Sequence, residues 1–589
     1  MTSEYLAPTI LSSRRLFGPN LFSERPGAVL EVVCHDAAGA LAVDRWPGEV
    51  ARLTTALGWT QVATVVLRAS ASANLFLTAP VDGLLTASDL SEYAWVAAEA
   101  SVSGSAAADA TATLRESYTR ERQTMPHVVA IQQYARDRAL CFSLDDASCS
   151  VGSGEGVHLV VHADTPLDES TEFDEAWDDA HDVPLALVTG SNGKTTTVRV
   201  LAAMLRASGR VTGWCCSDGV WVDDTQLERG DFTGPGGTRR VISDQRVQAA
   251  VLEVARGGLL RRGLAVSVAD AAIITNISAD HFGEYGVESL ADLARVKAIV
   301  ARALRPGASL TLNADDASLV SMAASPACAE IASQISWFSV QPGHRARTLA
   351  TNGRSYVITD DNRLVLFASG STHDLGDIRE MPITLRGTAT HNIANVAGAA
   401  LVASNLGVPH HAIRATLQSF GSARSDNPGR LMLRELAGVT IVMDYAHNPD
   451  GIASLCRTAA ALPARRRLLL LGQAGNRDDE QLRALGAAAW ATQAFDRVII
   501  KEMPAMLRGR EAGDIPARLR EGLTAAGAPS SRIDDADGEL TGVQMALAWA
   551  QPGDLLVLGV HVERERVLDL MERLAEMQWH PGAPLPQYA

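Results

Sequence analysis

The amino-acid sequence predicts an α/β protein of three parts: an N-terminal α+β domain, a central doubly wound domain with a P-loop, and a C-terminal Rossmann-like α/β domain. Two observations support this prediction. Strand-like apolar runs alternate with helical stretches over residues 183–424, and the alternation restarts over residues 425–589. This pattern is typical of parallel sheets covered by helices on both faces. In addition, a glycine-rich turn joins the first of these strands to a helix.

The N-terminal domain is predicted over residues 1–164. Strand-like runs at 28–34 and 61–67 alternate there with helical stretches, and no catalytic constellation stands out. Residues 165–182 follow, with eight acidic residues and no lysine or arginine. Because like charges repel one another and resist burial, this segment is predicted to be a solvated acidic linker between the first two domains.

The glycine-rich turn fits a phosphate-binding loop. Residues 188–197 read Val-Thr-Gly-Ser-Asn-Gly-Lys-Thr-Thr-Thr and follow an apolar strand candidate. Glycines let the backbone approach phosphate, a helix N-terminus offers free N–H groups, the lysine balances anionic oxygens and the hydroxyl reaches Mg²⁺. The spacing of Gly190, Gly193, Lys194 and Thr195 therefore predicts a nucleotide site. The alternative is an incidental glycine turn.

Polar side chains follow the next strand candidates, at the edge where the carboxyl ends of parallel strands meet. Glu253 ends one apolar run, and residues 276–281, Asn-Ile-Ser-Ala-Asp-His, follow another. Open α/β sheets bind ligands in the crevice at this edge. Glu253 is therefore predicted to be a Mg²⁺ ligand, with Asp280 and His281 in the same crevice. A lone histidine is more often structural, and that interpretation of His281 stays open.

Lys297 is a lysine on a helix candidate that is rich in alanine, valine and leucine. Ser289 and Asp292 have the spacing of a helix start, with a hydroxyl cap and an acidic residue three positions later. Lys297 then lies two turns into the helix. From the residues alone, the favoured interpretation is a stem that covers apolar surface while the ammonium group reaches water.

Two further clusters lie toward the C-terminus. Asn392 and Asn395 precede a helix of small residues, where their amides are placed to hydrogen-bond a purine edge. Asp444 ends a strand candidate, and Tyr445, His447 and an asparagine follow it before the next helix. A carboxylate, a phenol, an imidazole and an amide thus share one sheet edge, which indicates a site more than a scaffold.

Composition excludes several classes of protein. The chain has 589 residues and a formal net charge of −16, which opposes binding to nucleic acid. No apolar stretch is long enough to span a membrane. Seven scattered cysteines without paired spacing predict reduced thiols. The opening residues lack the pattern of a signal peptide, which predicts a cytoplasmic protein acting on small-molecule or peptide substrates.

Taken in order, these motifs strongly resemble the Mur ligase family. The matching motifs are residues 190–197, Glu253, residues 276–281, Lys297, and residues 391–395, 428–430 and 444–449. Within that family, residues 217–220, 230–235, 253–258, 427–430, 501–502 and 508–510 look most like the Mur-type half of cyanophycin synthetases. Residues 15–23 also resemble the opening segment of those synthetases. The synthetases carry an ATP-grasp domain between these parts, where this chain has the short acidic linker.

The resemblance implies ATP and Mg²⁺ as cofactors, and a central ATPase domain with a role for each matching residue. The nucleotide would be bound by Gly190, Asn192, Gly193, Lys194, Thr195, Thr196, Asn392, Asn395, Arg430 and Asp444. Mg²⁺ would be held, directly or through water, by Thr195, Glu253 and His281. The catalytic residues would be Lys194, Glu253, His281, Lys297 and His447. Lys297 matches a lysine that many family members carry as a carbamate, an anionic metal partner.

The resemblance also implies a reaction. ATP would phosphorylate a carboxylate, an amine would attack the acyl phosphate, and the amide, ADP and phosphate would leave. We expect a homo-oligomeric ligase that joins an amino acid, arginine or lysine, to a carboxylate of a peptide-like or small acidic acceptor. Two alternatives stay open: a peptidoglycan- or folate-type ligase, and a non-catalytic nucleotide-binding subunit that scaffolds a separate biosynthetic enzyme.

Overall fold

The computed structural model describes residues 9–161, 177–279, 282–350 and 354–586. The chain forms two compact units. The first unit comprises Met1–Ile358, Leu366–His373 and Ala397–Ile413, and the second comprises Thr359–Val365, Asp374–Val396 and Arg414–Ala589. Both units have the α/β character that the sequence predicts.

An antiparallel sheet packed against helices opens the first unit. Its strands are β1 (Ile10–Leu16), β2 (Gly27–Val33), β3 (Thr64–Arg68) and β4 (Ser72–Thr78), in the order β1-β2-β4-β3. Its helices are α1 (Ala37–Ala56), α2 (Leu84–Ser103), α3 (Thr111–Thr124) and α4 (Val128–Asp137). A small second sheet contains β5 (Phe142–Leu144), β6 (Ser148–Val151) and β7 (His158–Val161). Trp46 and Trp95, both fully buried, are the largest core side chains. The α+β prediction is confirmed.

A long, mostly parallel sheet follows these elements along the chain. Its strands are β8 (Leu185–Thr189), β9 (Thr212–Cys216), β10 (Gly219–Val222), β11 (Thr225–Arg229), β12 (Ala249–Glu253), β13 (Ala269–Ile274), β14 (Leu304–Asn313), β15 (Ile335–Ser339), β16 (Tyr356–Asp360), β17 (Arg363–Ala368) and β18 (Ser371–Asp377). The order is β11-β10-β9-β12-β8-β13-β14-β15-β16-β17-β18. Strands β12 and β13 flank β8 in parallel, so all three end at one edge, as the doubly wound prediction requires.

Helices lie between these strands and after the last of them in the chain. They are α5 (Lys194–Ala207), α6 (Pro235–Ile242), α7 (Arg256–Arg262), α8 (Leu290–Lys297), α9 (Ala317–Ala323), α10 (Arg345–Leu349), α11 (Thr390–Asn405) and α12 (His410–Ser419). The predicted helix start at Ser289 is confirmed, because its hydroxyl accepts the Asp292 N–H as the N-cap of α8.

The second unit is built on a six-stranded sheet. Its strands are β19 (Met432–Leu436), β20 (Val439–Asp444), β21 (Arg467–Leu471), β22 (Arg497–Lys501), β23 (Ile533–Ala536) and β24 (Leu555–Gly559), in the order β19-β20-β24-β21-β22-β23. The edge strand β19 is antiparallel to β20, whereas the other pairs are parallel. Helices α13 (Pro449–Ala461), α14 (Asp479–Trp490), α15 (Asp514–Ala525), α16 (Glu539–Trp549) and α17 (Arg564–Glu576) connect the strands. The Rossmann-like prediction is confirmed.

The acidic segment differs from a solvated linker where the structure describes it. Residues 165–176 lie outside the described residues. Trp177 is buried in the N-terminal core. Asp182 accepts the Cys141 N–H at 3.0 Å and pairs with Arg305 at 2.8 Å. The end of the segment is therefore anchored, because its side chains find buried partners. The predicted domain boundaries remain predictions.

The cysteines are free thiols, as predicted, and most are buried. Burial raises the pKa of Cys141, Cys149, Cys216 and Cys456 to about 12. Such thiols stay protonated at neutral pH, so we assign them no nucleophilic role. Among the described residues, no helix is long and apolar enough to cross a membrane.

Candidate active site

Two glycines shape the turn that follows β8. Gly190 has a φ of 147° and Gly193 a φ of 82°. A Cβ on Gly190 would lie 1.9 Å from Thr275 Oγ1, so a side chain does not fit there. Gly193 is the N-cap of α5, in the left-handed region that favours glycine. The turn therefore presents the N-terminus of a helix at the carboxyl edge of the sheet, as predicted.

Side chains that follow β13 hold the loop in shape. Asn276 Oδ1 accepts the Asn192 N–H at 2.9 Å, and Asn276 Nδ2 donates to the Asn192 carbonyl oxygen at 3.0 Å. Thr275 Oγ1 donates to the same carbonyl at 2.6 Å. The main-chain groups of Asn192, which was predicted to bind nucleotide, are thus used within the protein. Their contribution is to fix the curvature of the loop.

A hydroxyl and a carboxylate meet beside the loop. Thr195 Oγ1 donates to Glu253 Oε2 at 2.8 Å, and both residues are buried. Glu253 ends β12, the strand next to β8, so it lies beside the loop, as predicted. Its role as a Mg²⁺ ligand stays a prediction. Ser217 Oγ lies 3.1 Å from Thr195 Oγ1. Ser217 was missed as a site residue, although its position just after β9 was the signal that pointed to it.

Two lysines converge on one carbonyl of the loop. Lys194 Nζ donates to the Gly190 oxygen at 3.0 Å and to the Ser191 oxygen at 3.0 Å. Lys297 Nζ donates to the same Gly190 oxygen at 2.8 Å, and its residue is 3% exposed. The interpretation of Lys297 as a lysine reaching water is therefore wrong. Lys297 is the last residue of α8, and from there its side chain reaches the loop that follows β8.

A buried ion pair braces the Ser217 turn against helix α5. Arg199 donates to Asp218 at 3.1 Å, and both side chains are less than 10% exposed. The guanidinium group also lies 4.9 Å from the ring centre of Trp214 and 5.1 Å from that of Trp221. Cation–π contacts of this kind hold an arginine in one orientation. Helix α5 and the turn after β9 therefore keep a fixed spacing around Thr195.

Of the three residues predicted to hold Mg²⁺, the structure brings Thr195 and Glu253 together, and their role toward the ion stays a prediction. Asp280 and His281 lie outside the described residues, so the assignment of His281 stays a prediction. Mg²⁺ is held in proteins by one or two carboxylates, together with hydroxyls, waters and phosphate oxygens. The adjacent oxygens of Thr195 and Glu253 fit this requirement. Among the described residues, no group of three or more His, Cys, Asp or Glu side chains forms a metal cage.

In the second unit, Asn392 and Asn395 lie within the first turns of α11 and not before the helix, as the sequence had suggested. Both are buried. Asn392 Nδ2 donates to the Ile383 carbonyl at 2.9 Å, and Asn395 Nδ2 donates to Asn392 Oδ1 at 3.1 Å. Helix formation begins earlier than predicted because Thr390 onward packs as one continuous apolar and small-residue face. The role of these amides toward a purine stays a prediction.

Asp444 and Arg430 lie together at the end of β20. Asp444 Oδ2 accepts the Leu431 N–H at 2.7 Å, and Oδ1 accepts the Ala446 N–H at 2.7 Å. Burial raises the pKa of Asp444, while these hydrogen bonds and the nearby Arg430 oppose the increase. The Arg430 guanidinium stacks 5.0 Å from the ring centre of Tyr445. The Asp444 carboxylate thus holds the segment around Arg430 and the turn after β20 together.

His447 lies on the turn between β20 and α13. Its Nδ1 is 3.3 Å from the Tyr445 carbonyl oxygen, and its own carbonyl accepts a hydrogen bond from Gln473. Asn448 is the N-cap of α13 and accepts the Gly451 N–H at 2.8 Å. The structure therefore confirms the predicted placement of His447 at the carboxyl edge of this sheet.

A buried charged network, missed from the sequence, lies at the same edge. Lys501 Nζ forms an ion pair with Glu539, and both side chains are fully buried. Lys501 Nζ also donates to the Gly559 carbonyl at 2.7 Å and lies 3.0 Å from His561 Nδ1. His561 Nε2 is 3.2 Å from the Ala446 carbonyl, in the turn that carries His447. The signal was available, because the whole sequence contains three lysines, Lys194, Lys297 and Lys501.

Comparison with known families defines the class of protein. Residues 188–403 match the Mur ligase middle domain, and residues 429–559 match the Mur ligase glutamate ligase domain. The chain carries both domains in order and belongs to the Mur ligase family.

Among its relatives, the chain is homologous to cyanophycin synthetases. It is 33% identical to the enzyme of Geminocystis herdmanii (strain PCC 6308) over 378 residues, which cover 64% of this chain and 42% of the relative. The chain thus spans about two fifths of the length of that relative. It is 27% identical to a UDP-N-acetylmuramoyl-L-alanyl-D-glutamate–2,6-diaminopimelate ligase of Chlorobium phaeobacteroides, over 63% of this chain and 70% of the relative. The structure of E. coli FolC in complex with ADP aligns with 67% of this chain and 90% of that chain, at 17% identity and a TM-score of 0.48.

Proposed function

We propose that the protein is an ATP- and Mg²⁺-dependent ligase that forms an amide bond between an amino acid and a carboxylate. The observation that carries this proposal is the pairing of Thr195 with Glu253 beside a loop whose carbonyl groups accept hydrogen bonds from Lys194. Nucleotide phosphates need cations and donors at the loop, and a metal needs oxygen ligands beside it. The relatives reported above are ligases by name, which supports the same class.

The residues of the first unit would act on the phosphates of ATP. The N-terminal N–H groups of α5 and the Lys194 ammonium would bind the β- and γ-phosphates. Thr195 and Glu253 would hold Mg²⁺, which supplies charge neutralisation to the transferring phosphoryl group. Because phosphoryl transfer depends mainly on positioning and electrostatics, the rigid brace between Arg199 and Asp218 would contribute by keeping Thr195 in place.

The substrates would react in two steps. The carboxylate oxygen of the acceptor attacks the γ-phosphorus of ATP, the bond to the bridging oxygen breaks, and ADP leaves. The amine nitrogen of the amino acid then attacks the acyl carbon, phosphate leaves, and the nitrogen loses a proton. In the second unit, Arg430 and Asp444 would bind the nucleotide, and His447 would contact the reacting groups.

For Lys297 we propose a carbamate. The deprotonated Nζ attacks the carbon of CO₂, an N–C bond forms and the nitrogen loses a proton, which converts a cation into an anion. The carbamate nitrogen would keep one N–H, which can donate the hydrogen bond that Nζ makes to the Gly190 carbonyl oxygen at 2.8 Å.

For the substrates we propose arginine or lysine as the amino acid and an acidic peptide as the acceptor. The similarity to cyanophycin synthetases supports this choice. A peptidoglycan-type ligase is the second candidate, because the diaminopimelate ligase relative is covered over 70% of its length. The homo-oligomeric state and the cytoplasmic location expected from the sequence are part of the same proposal.

The decisive experiment is ADP release by the purified protein with Mg-ATP across a matrix of amino acids and acceptors, with mass spectrometry of the products. The matrix includes aspartyl peptides and a UDP-muramoyl dipeptide. We expect release that requires both substrates and a product with the mass of an amide. If no pair of substrates stimulates release although ATP binds, the chain is a nucleotide-binding scaffold and the proposal fails.

A further inference from the structure

The second unit contains a cavity of about 300 Å³, and Arg430 is the one lining residue to which the proposed function gives a role. Its walls come from three segments, residues 379–386, 421–424 and 427–434. The lining includes the buried apolar residues Ile383, Leu385 and Leu431. A volume of this size fits a small ligand or the side chains of a short peptide.

The lining is strongly cationic. It contains Arg379, Arg386, Arg424, Arg430 and Arg434, and no acidic residue. This imbalance is unusual in a chain with 68 acidic and 52 basic residues, whose overall field repels anions. An anion that binds here must therefore be attracted by the local arginines.

Two of these arginines differ from the others in their ion pairing among the described residues. Arg379 pairs with Asp377, and Arg424 pairs with Glu572. By contrast, no carboxylate in the described part of the chain forms an ion pair with Arg386 or Arg434. Arginine presents five N–H donors in a fixed fork that matches a carboxylate, so uncompensated guanidinium groups at a cavity mouth favour an anionic ligand.

The walls of the cavity are held in place by the backbone. Gly421 has a φ of 97°, and a Cβ there would lie 2.8 Å from the Ile383 nitrogen, so these two walls touch. Asp426 Oδ2 accepts the N–H groups of Gly421 at 2.8 Å and Ala423 at 3.0 Å. Asn427 Nδ2 donates to the Arg430 carbonyl at 3.0 Å. The backbone of the cavity is thus held in place before a ligand binds, so little free energy is spent on ordering it.

We propose that this cavity binds a carboxylate-rich peptide, the acidic acceptor or product of the ligase, through Arg386 and Arg434. The proposal rests on the function proposed above for its choice of ligand. Of the residues predicted to bind nucleotide, Arg430 lines the cavity, whereas Asn392, Asn395 and Asp444 do not. Arg386 and Arg434 are not predicted to bind nucleotide, so substituting them tests the binding of the peptide alone.

The test measures binding of a fluorescent oligo-aspartate peptide to the full chain by anisotropy, in the absence of turnover. We expect the double variant Arg386→Gln/Arg434→Gln to bind the peptide at least about tenfold more weakly, since it loses two charge-assisted contacts. Arg465→Gln, an exposed arginine of the same unit outside the cavity, is the matched control and should bind normally. Thermal unfolding checks that each variant is folded.

Three results would overturn the inference: no binding of the peptide to the unmodified protein, an equal loss in the Arg465 variant, or displacement of the peptide by Mg-ATP. The last result would make the cavity a nucleotide subsite. Because binding is measured without catalysis, its outcome is separate from that of the ligase assay. Amide formation with an acidic acceptor by a folded double variant at an unchanged KM would also refute the cavity while leaving the proposed function intact.

Discussion

Thr195 Oγ1 donates a hydrogen bond to Glu253 Oε2 at 2.8 Å across a sequence separation of 58 residues. The two side chains meet because β8 and β12 are parallel neighbours, and Thr195 follows the loop after one strand while Glu253 ends the other. This pair is the physical basis for placing a metal at the carboxyl edge of the central sheet.

The first prediction concerns the charge of Glu253. Glu253→Gln keeps a side chain that can hydrogen-bond Thr195 but removes the anionic ligand of Mg²⁺. We expect kcat to fall by about 100-fold or more, since a lost electrostatic contact to a transferring group costs this much. Steady-state ADP release measures it. Glu228→Gln, at an exposed ion pair with Arg240 in the same unit, is the control, and equal losses in both variants would contradict the metal assignment.

The second prediction concerns the shape of the loop. Gly190→Ala would place a methyl group 1.9 Å from Thr275 Oγ1, at a φ of 147° that L-residues rarely adopt. The loop must move, so we expect loss of ATP binding, measured by calorimetry. Gly48→Ala lies in α1 with no atom near its Cβ, and it should bind ATP normally while gaining about 0.5–1 kcal/mol of stability. Normal ATP binding by the Gly190 variant would show that the loop does not cradle phosphates.

The third prediction concerns the carbamate on Lys297. The sequence has three lysines, so ¹³C NMR of the protein in ¹³C-bicarbonate is free of crowding. We expect one carbamate resonance that is absent from Lys297→Arg and retained in Lys501→Arg. A guanidinium group in place of the amine cannot carry CO₂, so the ligase activity of the Lys297→Arg variant should also fall. A spectrum without a carbamate signal from an active enzyme would refute the modification.

The fourth prediction concerns the buried pair of Lys501 and Glu539. Lys501→Met leaves the Glu539 carboxylate buried without its cation, and this should destabilise the fold by about 3–5 kcal/mol. Urea unfolding of the full chain measures the change. The exposed pair of Arg520 and Asp535 offers the control, because Arg520→Met should cost less than about 1 kcal/mol. A similar decrease in the free energy of unfolding in the two variants would mean that burial does not increase the cost of breaking the pair of Lys501 and Glu539.

The fifth prediction concerns the pH dependence that His561 introduces. Burial, together with the neighbouring Lys501, holds the pKa of His561 well below its usual range. As the pH falls through about 6.5, the unfolded histidine gains a proton and the folded one does not, so stability decreases toward acid pH. Glu539 and His447 are the other titratable groups beside the ring.

His561→Gln should weaken this dependence. The amide retains a donor for the Ala446 carbonyl but does not titrate, so the loss of stability between about pH 7 and pH 5 should be smaller than in the unmodified protein. Unfolding midpoints at the two pH values measure it. An unchanged pH slope would show that His561 is protonated in the folded protein.

Much of the site was predictable because it depends on local geometry. The turn from Gly190 to Thr195 lies between a strand and a helix that the sequence itself specifies, and Glu253 is read from its place at the end of an apolar strand. His447 follows the same rule in the second sheet. In each case a polar residue ends or follows an apolar run, and the parallel sheet brings such residues together at its carboxyl edge.

Other features depend on contacts that no local pattern encodes. The interpretation of Lys297 from its helix alone was wrong, since its side chain is buried against the Gly190 carbonyl, which lies 107 residues away in the chain. Such a contact is set by long-range packing, which the helix sequence does not encode.

The sequence by itself determined the α/β class, the strand-loop-helix motif at residues 188–197 and the family to which the chain belongs, because these follow from residue order and spacing. Tertiary structure alone decided that Lys501, Glu539 and His561 form one buried network, and that arginines from three segments surround one cavity. The physical reason is that burial and electrostatic pairing depend on distances in space, which the packing of both faces of a sheet creates between residues far apart in the chain.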